Sequence, residues 1–391
     1  MYKILTRNHI SSKGLDKFST QKYELGRELS QPDAILLRSH TLDPVEISDS
    51  VLAIARAGSG TNNIPVPLCT ERGIPVFNSP GANANAVKEL VAAALLLGSR
   101  GIIEGISYVE TLGDITDETE LYQSLEAHKK QFRGSELSGK TLGVIGLGAI
   151  GSLVADTALT LGMEVCGYDP ALSVDAAWRL SNRVRRMEAL SSLIGRCDYI
   201  SLHLPMLDST MGLIDTKILG NLKEGACLLN FSRPEVVDLA AVIESLDRGR
   251  LRRYITDFPQ IGLIGRKDVT LMPHIGASTQ EAEDNCAVMA AQQLQDFLEC
   301  GNIRNSVNFP TLVLEPCDGV RLAISNSNVP KILGSLLSLL ADENINVIDM
   351  LNKSRETIAY NLIDLECAPS APLLDQMRAV DGVINARLVQ P

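Results

Sequence analysis

The sequence predicts an α/β protein built around a doubly wound parallel sheet, and three observations predict it. An apolar run, Thr141 to Ile145, opens directly into a Gly-x-Gly-x-x-Gly turn at Gly146, Gly148 and Gly151. Short apolar runs alternate with helical segments up to Gly81 and again from Thr141 to Pro273, the pattern of βαβ units. From Val320 onward the order is βαββαβ, a ferredoxin-like module.

A chain of 391 residues exceeds one ordinary domain, so two or three are expected. Lys plus Arg number 36 against 47 Asp plus Glu, a net charge of −11 without a basic block, which argues against nucleic acid and anionic membrane as partners. The eight cysteines, at 69, 166, 197, 227, 286, 300, 317 and 367, include no Cys-x-x-Cys pair. Neither a metal site nor a disulfide framework is suggested, and reduced thiols in the cytoplasm are expected. The N-terminal Met-Tyr-Lys-Ile-Leu-Thr-Arg lacks a signal peptide's apolar core, and no apolar run reaches membrane-spanning length, so no membrane is expected.

Residues 1–84 read as a small α/β domain with runs at Lys3–Thr6, Ala34–Arg38, Val51–Arg56 and Val76–Asn78. Two of these end in Arg38-Ser39 and Arg56-Ala-Gly-Ser-Gly60, at strand C-termini, where open α/β sheets bind ligands. Either arginine alone is equally a solvated side chain, whereas Gly58-Ser59-Gly60 is rich in free N–H groups and suits an anion. Asn85 to Ser99 is apolar nearly all round and is expected as a buried helix between domains. Residues 101–137 are polar, a helix and a long loop.

Residues 85–278 form the expected nucleotide domain, a Rossmann-type sheet of about six strands. Gly146 permits the sharp turn, Gly148 the approach of a pyrophosphate, and Gly151 close helix-on-strand packing; Ala149-Ile150-Gly151 offer helix N-terminal N–H groups to the anion. The next strand, Glu164 to Tyr168, ends at Asp169, placed for a carboxylate that bonds the adenosine ribose and repels a 2′-phosphate. The expected cofactor is NAD. Residues 279–304 read as an amphipathic helix returning to the first domain, 305–318, with Pro310 and Pro316, as a linker, and 319–391 as a separate module. Pro330 is placed in the first turn of its helix.

Chemistry beside a nicotinamide needs a proton acceptor and a cation for the substrate's carbonyl and carboxylate. His274, in Pro273-His-Ile-Gly-Ala-Ser278, follows the last strand of the nucleotide domain and emerges at the sheet's ligand-binding edge. Arg233, in Asn230-Phe-Ser-Arg-Pro, follows another strand at the same edge, which suits a fixed guanidinium on a carboxylate. His203, in Ser201-Leu-His-Leu-Pro205, reads as structural or as a neighbour of the adenine.

Taken together these motifs resemble the D-isomer-specific 2-hydroxyacid dehydrogenases over residues 1 to about 310. The fit to members that carry a C-terminal ACT module and oxidise D-3-phosphoglycerate spans the whole chain. It rests on Arg56-Ala-Gly-Ser-Gly-Thr-Asn-Asn, Thr70-Glu-Arg-Gly-Ile-Pro-Val-Phe-Asn-Ser-Pro-Gly, the 146–151 glycines, Ser201-Leu-His-Leu-Pro, Ser232-Arg-Pro-Glu-Val-Val-Asp, Pro273-His-Ile-Gly-Ala-Ser-Thr and Ser306-Val-Asn-Phe-Pro. The resemblance implies a flavodoxin-like substrate domain, NAD-linked oxidation of D-3-phosphoglycerate at the entry to serine synthesis, and a homodimer or homotetramer. It makes Arg233 the carboxylate and carbonyl anchor, His274 the proton acceptor, and Asp257 the holder of the nicotinamide amide. Pro205, Phe231, Ser232, Gly276 and Ala277 would complete the cofactor site. Arg38, Ser39, the Ser59-Gly60 amides and Asn83 would line the substrate pocket, with Arg56 as a phosphate contact.

Two departures from the family pattern follow. The carboxylate expected to pair with the histidine is replaced by Ile261, with Glu235 the nearest substitute by motif. In the ACT-like effector loop Asn328 and Asn346 match, but Lys331 puts a cation where an amino acid's amino group would approach. Two other readings remain: a reductase of another 2-keto acid such as hydroxypyruvate or glyoxylate, and a catalytically impaired NAD-sensing protein.

Overall fold

A computed structural model describes residues 1–315 and 319–389; Pro316 and Cys317 lie outside the described residues. The chain divides into two compact units, Met1–Asn83 with Gln280–Pro391, and Ala84–Thr279.

The first unit opens with β1 (Tyr2–Thr6), β2 (Tyr23–Gly26), β3 (Ala34–Leu37), β4 (Ala53–Arg56) and β5 (Val76–Phe77). They form a parallel sheet in the order β2-β1-β3-β4-β5, the flavodoxin-like order. β3 is buried at every residue because both faces are covered, as parallel sheets require. On one face Ala287, Ala290 and Leu294 of helix Gln280–Cys300 join Ile4, Leu36 and Ala55. On the other, Leu5, Ile35 and Ile54 pack with Cys69 and Ile74. β2, Tyr-Glu-Leu-Gly, is a half-wet edge strand without the apolar run that would announce it.

The second unit holds β6 (Thr141–Ile145), β7 (Glu164–Tyr168), β8 (Arg185–Arg186), β9 (Tyr199–Leu202), β10 (Ala226–Asn230), β11 (Leu251–Thr256) and β12 (Val269–Leu271). Their order, β12-β11-β10-β9-β6-β7-β8, is parallel throughout and reverses beside β6. That reversal is the switch point at which a doubly wound sheet receives a nucleotide. The seventh strand is a pair of exposed arginines at the edge, invisible to hydrophobic periodicity. Helix Ala84–Ser99 is a core element of this unit, with Val87, Val91 and Leu95 against Leu142, Val144 and Leu229. The polar stretch after Gly101 forms helices Ile102–Glu110 and Glu118–His128, the second capped by the Asp117 carboxylate, which accepts from the Glu120 amide.

The chain then returns to the first unit. β13 (Val320–Ser327), β14 (Val347–Arg355), β15 (Ile358–Leu365) and β16 (Val383–Val389) make an antiparallel sheet in the order β14-β15-β13-β16. One face carries helices Ile332–Asp342 and Ala371–Arg378, through Leu336, Leu340, Leu373 and Met377. The opposite face is covered over its inner strands: Ala323, Tyr360 and Leu362 share a cluster with Phe297, Leu298, Phe309 and Leu312. The module expected to stand apart therefore shares a core with the helix that covers the first sheet. The expected linker is likewise fixed over its described part. Asn308 accepts from the Val76 amide at 2.8 Å and donates to the Ile74 carbonyl at 2.9 Å, and Ile303 bridges to Leu312. Pins of this kind carry no period, which is why the stretch reads as loose. The first module helix starts at Ile332 rather than at Pro330, because Lys331 at its N-cap is left-handed, φ 80°.

The Arg321–Asp364 pair holds the C-terminal sheet to the segment before it. Nε and Nη2 reach the two carboxylate oxygens at 2.7 and 2.8 Å, with side chains only 3% and 1% exposed. Nη1 also donates to the Cys300 and Leu314 carbonyls. Removing one member of a buried pair leaves an uncompensated charge, at a cost of about 3–5 kcal/mol. Asp364→Ala is therefore expected to lower the urea midpoint steeply, whereas Asp375→Ala, which breaks the exposed pair with Arg378, should change stability by about 1 kcal/mol at most.

Candidate active site

The glycine turn after β6 is set by packing. Gly146 has φ 89°, and a Cβ there would lie 2.3 Å from the His203 carbonyl oxygen; one on Gly151 would lie 1.9 Å from the Gly146 carbonyl oxygen. Gly148 differs, since a Cβ would meet nothing within 4 Å. It is the N-cap of helix Ala149–Thr160 and supplies no capping side chain, so the first-turn N–H groups of Ala149, Ile150 and Gly151 face no partner within the helix. Beside this turn the Asp169 carboxylate accepts from the Leu147 amide at 2.9 Å and from the Ala171 amide at 2.9 Å. Free amides at a helix end, an open approach over Gly148 and a carboxylate one strand away fit a dinucleotide's pyrophosphate and ribose.

His203 closes the turn from the next strand. Its amide donates to the Ile145 carbonyl at 2.8 Å, and its Nε2 lies 2.8 Å from Ser201 Oγ. Its Nδ1 is buried without a partner, and burial pushes its pKa down from 6.5 to about 3. The ring is neutral and cannot act as an acid at ordinary pH. Pro205 is exposed and accepts from Thr210 Oγ1 at 2.7 Å.

Arg233 is presented by a loop that Asn230 folds. Asn230, fully buried at the tip of β10, accepts from the Ser232 amide and hydroxyl and donates from Nδ2 to the Arg233 carbonyl at 2.8 Å. Thr256 Oγ1 donates to the Asn230 carbonyl at 3.0 Å, tying β11 to β10. Phe231 and Ser232 are buried, and Arg233 is half-buried with its Nη1 on the Ser232 carbonyl at 2.6 Å.

His274 has φ 57°, a left-handed conformation that costs a residue with a Cβ roughly 1–2 kcal/mol. Asp257 offsets that cost. Its buried carboxylate accepts from the Ile275 amide at 2.8 Å and from the Gly276 amide at 2.7 Å, charge-assisted bonds about twice the strength of neutral ones. Expected as a hydrogen-bond partner of the nicotinamide, Asp257 also braces the backbone of the histidine turn, and each of its oxygens keeps a further lone pair. The ring of His274 is exposed and stands edge to face with Phe258 at 5.1 Å. It has no hydrogen bond or ion pair with a carboxylate among the described residues. Ile261 is 93% exposed, and Glu235, also exposed, is not bonded to the ring. Gly276 is buried and Ala277 half-buried behind the turn.

The strand tips of the first unit carry the remaining candidates. Arg38, after β3, pairs through Nη2 with Glu283 Oε1 at 2.7 Å. Arg56 donates from Nε to the Arg38 carbonyl at 2.9 Å and from Nη1 to the Gly60 carbonyl. The expected phosphate contact thus also braces its own loop. Asn63 adds a second brace, donating to the Arg38 and His40 carbonyls at 3.1 and 2.6 Å. Ser39 is exposed. The Ser59 and Gly60 amides donate to no group among the described residues, while Asn78 Nδ2 holds the Ser59 carbonyl at 2.6 Å. Asn83 is half-buried with its Oδ1 unpartnered. Of the effector candidates, Asn328 donates to the Glu356 carbonyl at 3.0 Å and Asn346 is exposed. Asn230, Asn63 and Glu283 escaped the sequence reading, because an asparagine or glutamate at a strand or helix end looks the same whether it braces a loop or faces water. Among the described residues no group of three or more His, Cys, Asp or Glu is placed to hold a metal, and no single helix is long and apolar enough to cross a membrane.

Two measurements test these assignments. Gly148→Ala adds a methyl that meets no protein atom, so its melting temperature should match the parent's. Its NADH dissociation constant, by fluorescence titration, should still rise about tenfold or more, because the lost space belongs to the pyrophosphate. His203 stays neutral when folded and titrates near 6.5 when unfolded, so the unfolded chain binds more protons below that value. Stability should then fall with pH by up to about 1.4 kcal/mol per unit. Above pH of about 5 ordinary carboxylates remain ionised in both states, so the decline between 6.5 and that value should be absent in His203→Gln.

Comparison with known proteins agrees with this geometry. The family described as D-isomer specific 2-hydroxyacid dehydrogenase, NAD binding domain, matches residues 108–276. D-3-phosphoglycerate dehydrogenase of Haemophilus influenzae is 32% identical over 386 residues, 94% of this chain and 88% of that protein. The protein of the same name from Escherichia coli K12 is 32% identical over 371 residues, 90% of this chain and 85% of that one. Among solved structures, the NAD⁺-bound 3-phosphoglycerate dehydrogenase of Entamoeba histolytica superposes with a TM-score of 0.61 at 26% identity, covering 78% of this chain and 98% of that one. The chain belongs to the D-isomer-specific 2-hydroxyacid dehydrogenase family.

Proposed function

We propose that this enzyme oxidises D-3-phosphoglycerate to 3-phosphohydroxypyruvate with NAD, the step that opens serine synthesis. The observation that carries the reading is the pair of braced loops at one sheet edge, Arg233 folded by Asn230 and His274 held left-handed by Asp257. Bound NAD supplies the hydride acceptor. Arg233 holds the substrate carboxylate and polarises the oxygen that becomes a carbonyl. His274, neutral, takes the hydroxyl proton on a ring nitrogen and returns it in the reverse direction. No carboxylate partners the ring, so the imidazolium formed during oxidation lacks the stabilisation an adjacent acid gives, and turnover in that direction is low.

A reductase acting on a 2-keto acid without a phosphate is the second reading. It is favoured by one observation: in the first unit Arg38 is already paired with Glu283, and Arg56 donates to loop carbonyls. The NAD-sensing alternative rests on the missing carboxylate at Ile261, while the two braced chemical loops weigh against it. The enzyme works in the cytoplasm as a homodimer or homotetramer, a reading supported by the exposed Ile103, Ile106 and Val109 on helix Ile102–Glu110 and by the outer strand β14 with its exposed Ile348. Such surfaces are covered by a second copy of the chain.

NADH consumption with 3-phosphohydroxypyruvate, hydroxypyruvate, glyoxylate and pyruvate in parallel decides among these readings. The phosphorylated compound should give the highest kcat/KM, NADPH should serve poorly, and Arg233→Lys should lose about 10²–10³-fold through its lost fork geometry. Reduction of none of the four would sink both enzyme readings. Sedimentation should give a species of at least dimer mass, independent of dilution in the working range; a monomer at all concentrations would refute the assembly.

A further inference from the structure

We propose that Glu283 is a specificity-determining residue, which holds Arg38 as its counter-ion and so limits how strongly the substrate's anionic tail is recognised. The proposal rests on the reading above that Arg38 faces the substrate. Arg38 stands at the end of β3, and its side chain has one polar partner among the described residues, the Glu283 carboxylate at 2.7 Å. Glu283 lies in the first turn of helix Gln280–Cys300, where the helix dipole already stabilises a negative charge. The carboxylate is thus a built-in competitor for that guanidinium.

Arg56 remains a cation nearby, with its Nε and Nη1 turned onto the Arg38 and Gly60 carbonyls. The anion-recognising groups at these strand tips include the Ser59 and Gly60 amides and the shared guanidinium of Arg38. A tail phosphate, with about −1.5 to −2 charges, gains Arg38 only by displacing Glu283 or by lying close to it. A tail hydroxyl gains at most a hydrogen bond from Arg38 without an ion pair, and suffers no charge repulsion from Glu283. The carboxylate thus narrows the difference between phosphorylated and unphosphorylated substrates of the same carbon skeleton. It acts through Arg38, as a positioning and charge-setting group.

The test compares KM and kcat for 3-phosphohydroxypyruvate and hydroxypyruvate in the parent, Glu283→Gln, Arg38→Gln and the double variant. Glutamine keeps the shape and the hydrogen bond to Arg38 and removes the charge. The KM ratio, hydroxypyruvate over 3-phosphohydroxypyruvate, should rise about three- to fivefold in Glu283→Gln, the scale of a partly exposed ion pair, with the kcat ratio unmoved. The rise should shrink with added salt. On the Arg38→Gln background the second substitution should leave the ratio alone, as expected of two groups that act as a pair. An unchanged or falling ratio in Glu283→Gln, or an equal rise without Arg38, overturns the proposal while leaving the enzyme reading intact. A parent that reduces neither compound overturns both.

Discussion

The geometry of the two loops proposed to carry the chemistry depends on one buried carboxylate. Asp257 binds consecutive backbone amides through both oxygens and thereby fixes a histidine in a left-handed conformation uncommon for a residue with a Cβ. Without that clamp His274 would relax toward the ordinary backbone regions, and its ring would leave the strand edge that holds the Arg233 loop. Asn230 performs the matching task for Arg233, and Thr256 ties the two strand tips together. Three polar side chains at the ends of β10 and β11 therefore set the geometry of the two residues proposed to carry chemistry, in an interior where unpaired polar groups would be costly.

The nucleotide turn and the two chemical loops were legible in the sequence because each is a local constraint. Gly146 and Gly151 are demanded by carbonyl oxygens a few residues away in space, and such steric demands write themselves as glycine. The βαββαβ order was legible for a similar reason, since each strand and helix carries its own period. What stayed hidden was tertiary. β2 and β8 have no apolar alternation, so nothing separates them from turns. The orientation of Arg56 toward carbonyls, the pinning of 302–314 by Asn308, and the bonds of Asp257 to Ile275 and Gly276 depend on partners distant in sequence. A residue type gives no hint of which of its possible partners will be near.

The charge pattern at the first unit's strand tips also has a general lesson. Two arginines in a motif suggest an anion site, but a guanidinium counts for recognition only when its donors are not already used. Here one is largely committed to carbonyls and the other to a glutamate. Backbone N–H groups, which no substitution except proline removes, become proportionately more important in such a site.

The C-terminal sheet lies against the far end of helix Gln280–Cys300, through Tyr360 on the Gly301 carbonyl and Arg387 on the Phe297 carbonyl, while Glu283 occupies the first turn of the same helix. A helix of 21 residues is a rod of about 30 Å, so a tilt of roughly two degrees imposed at one end displaces the other by about 1 Å. Between those two ends Ala287, Ala290 and Leu294 pack on the first parallel sheet, so the Arg38–Glu283 ion pair and the C-terminal sheet are carried on one rod that is braced along its length.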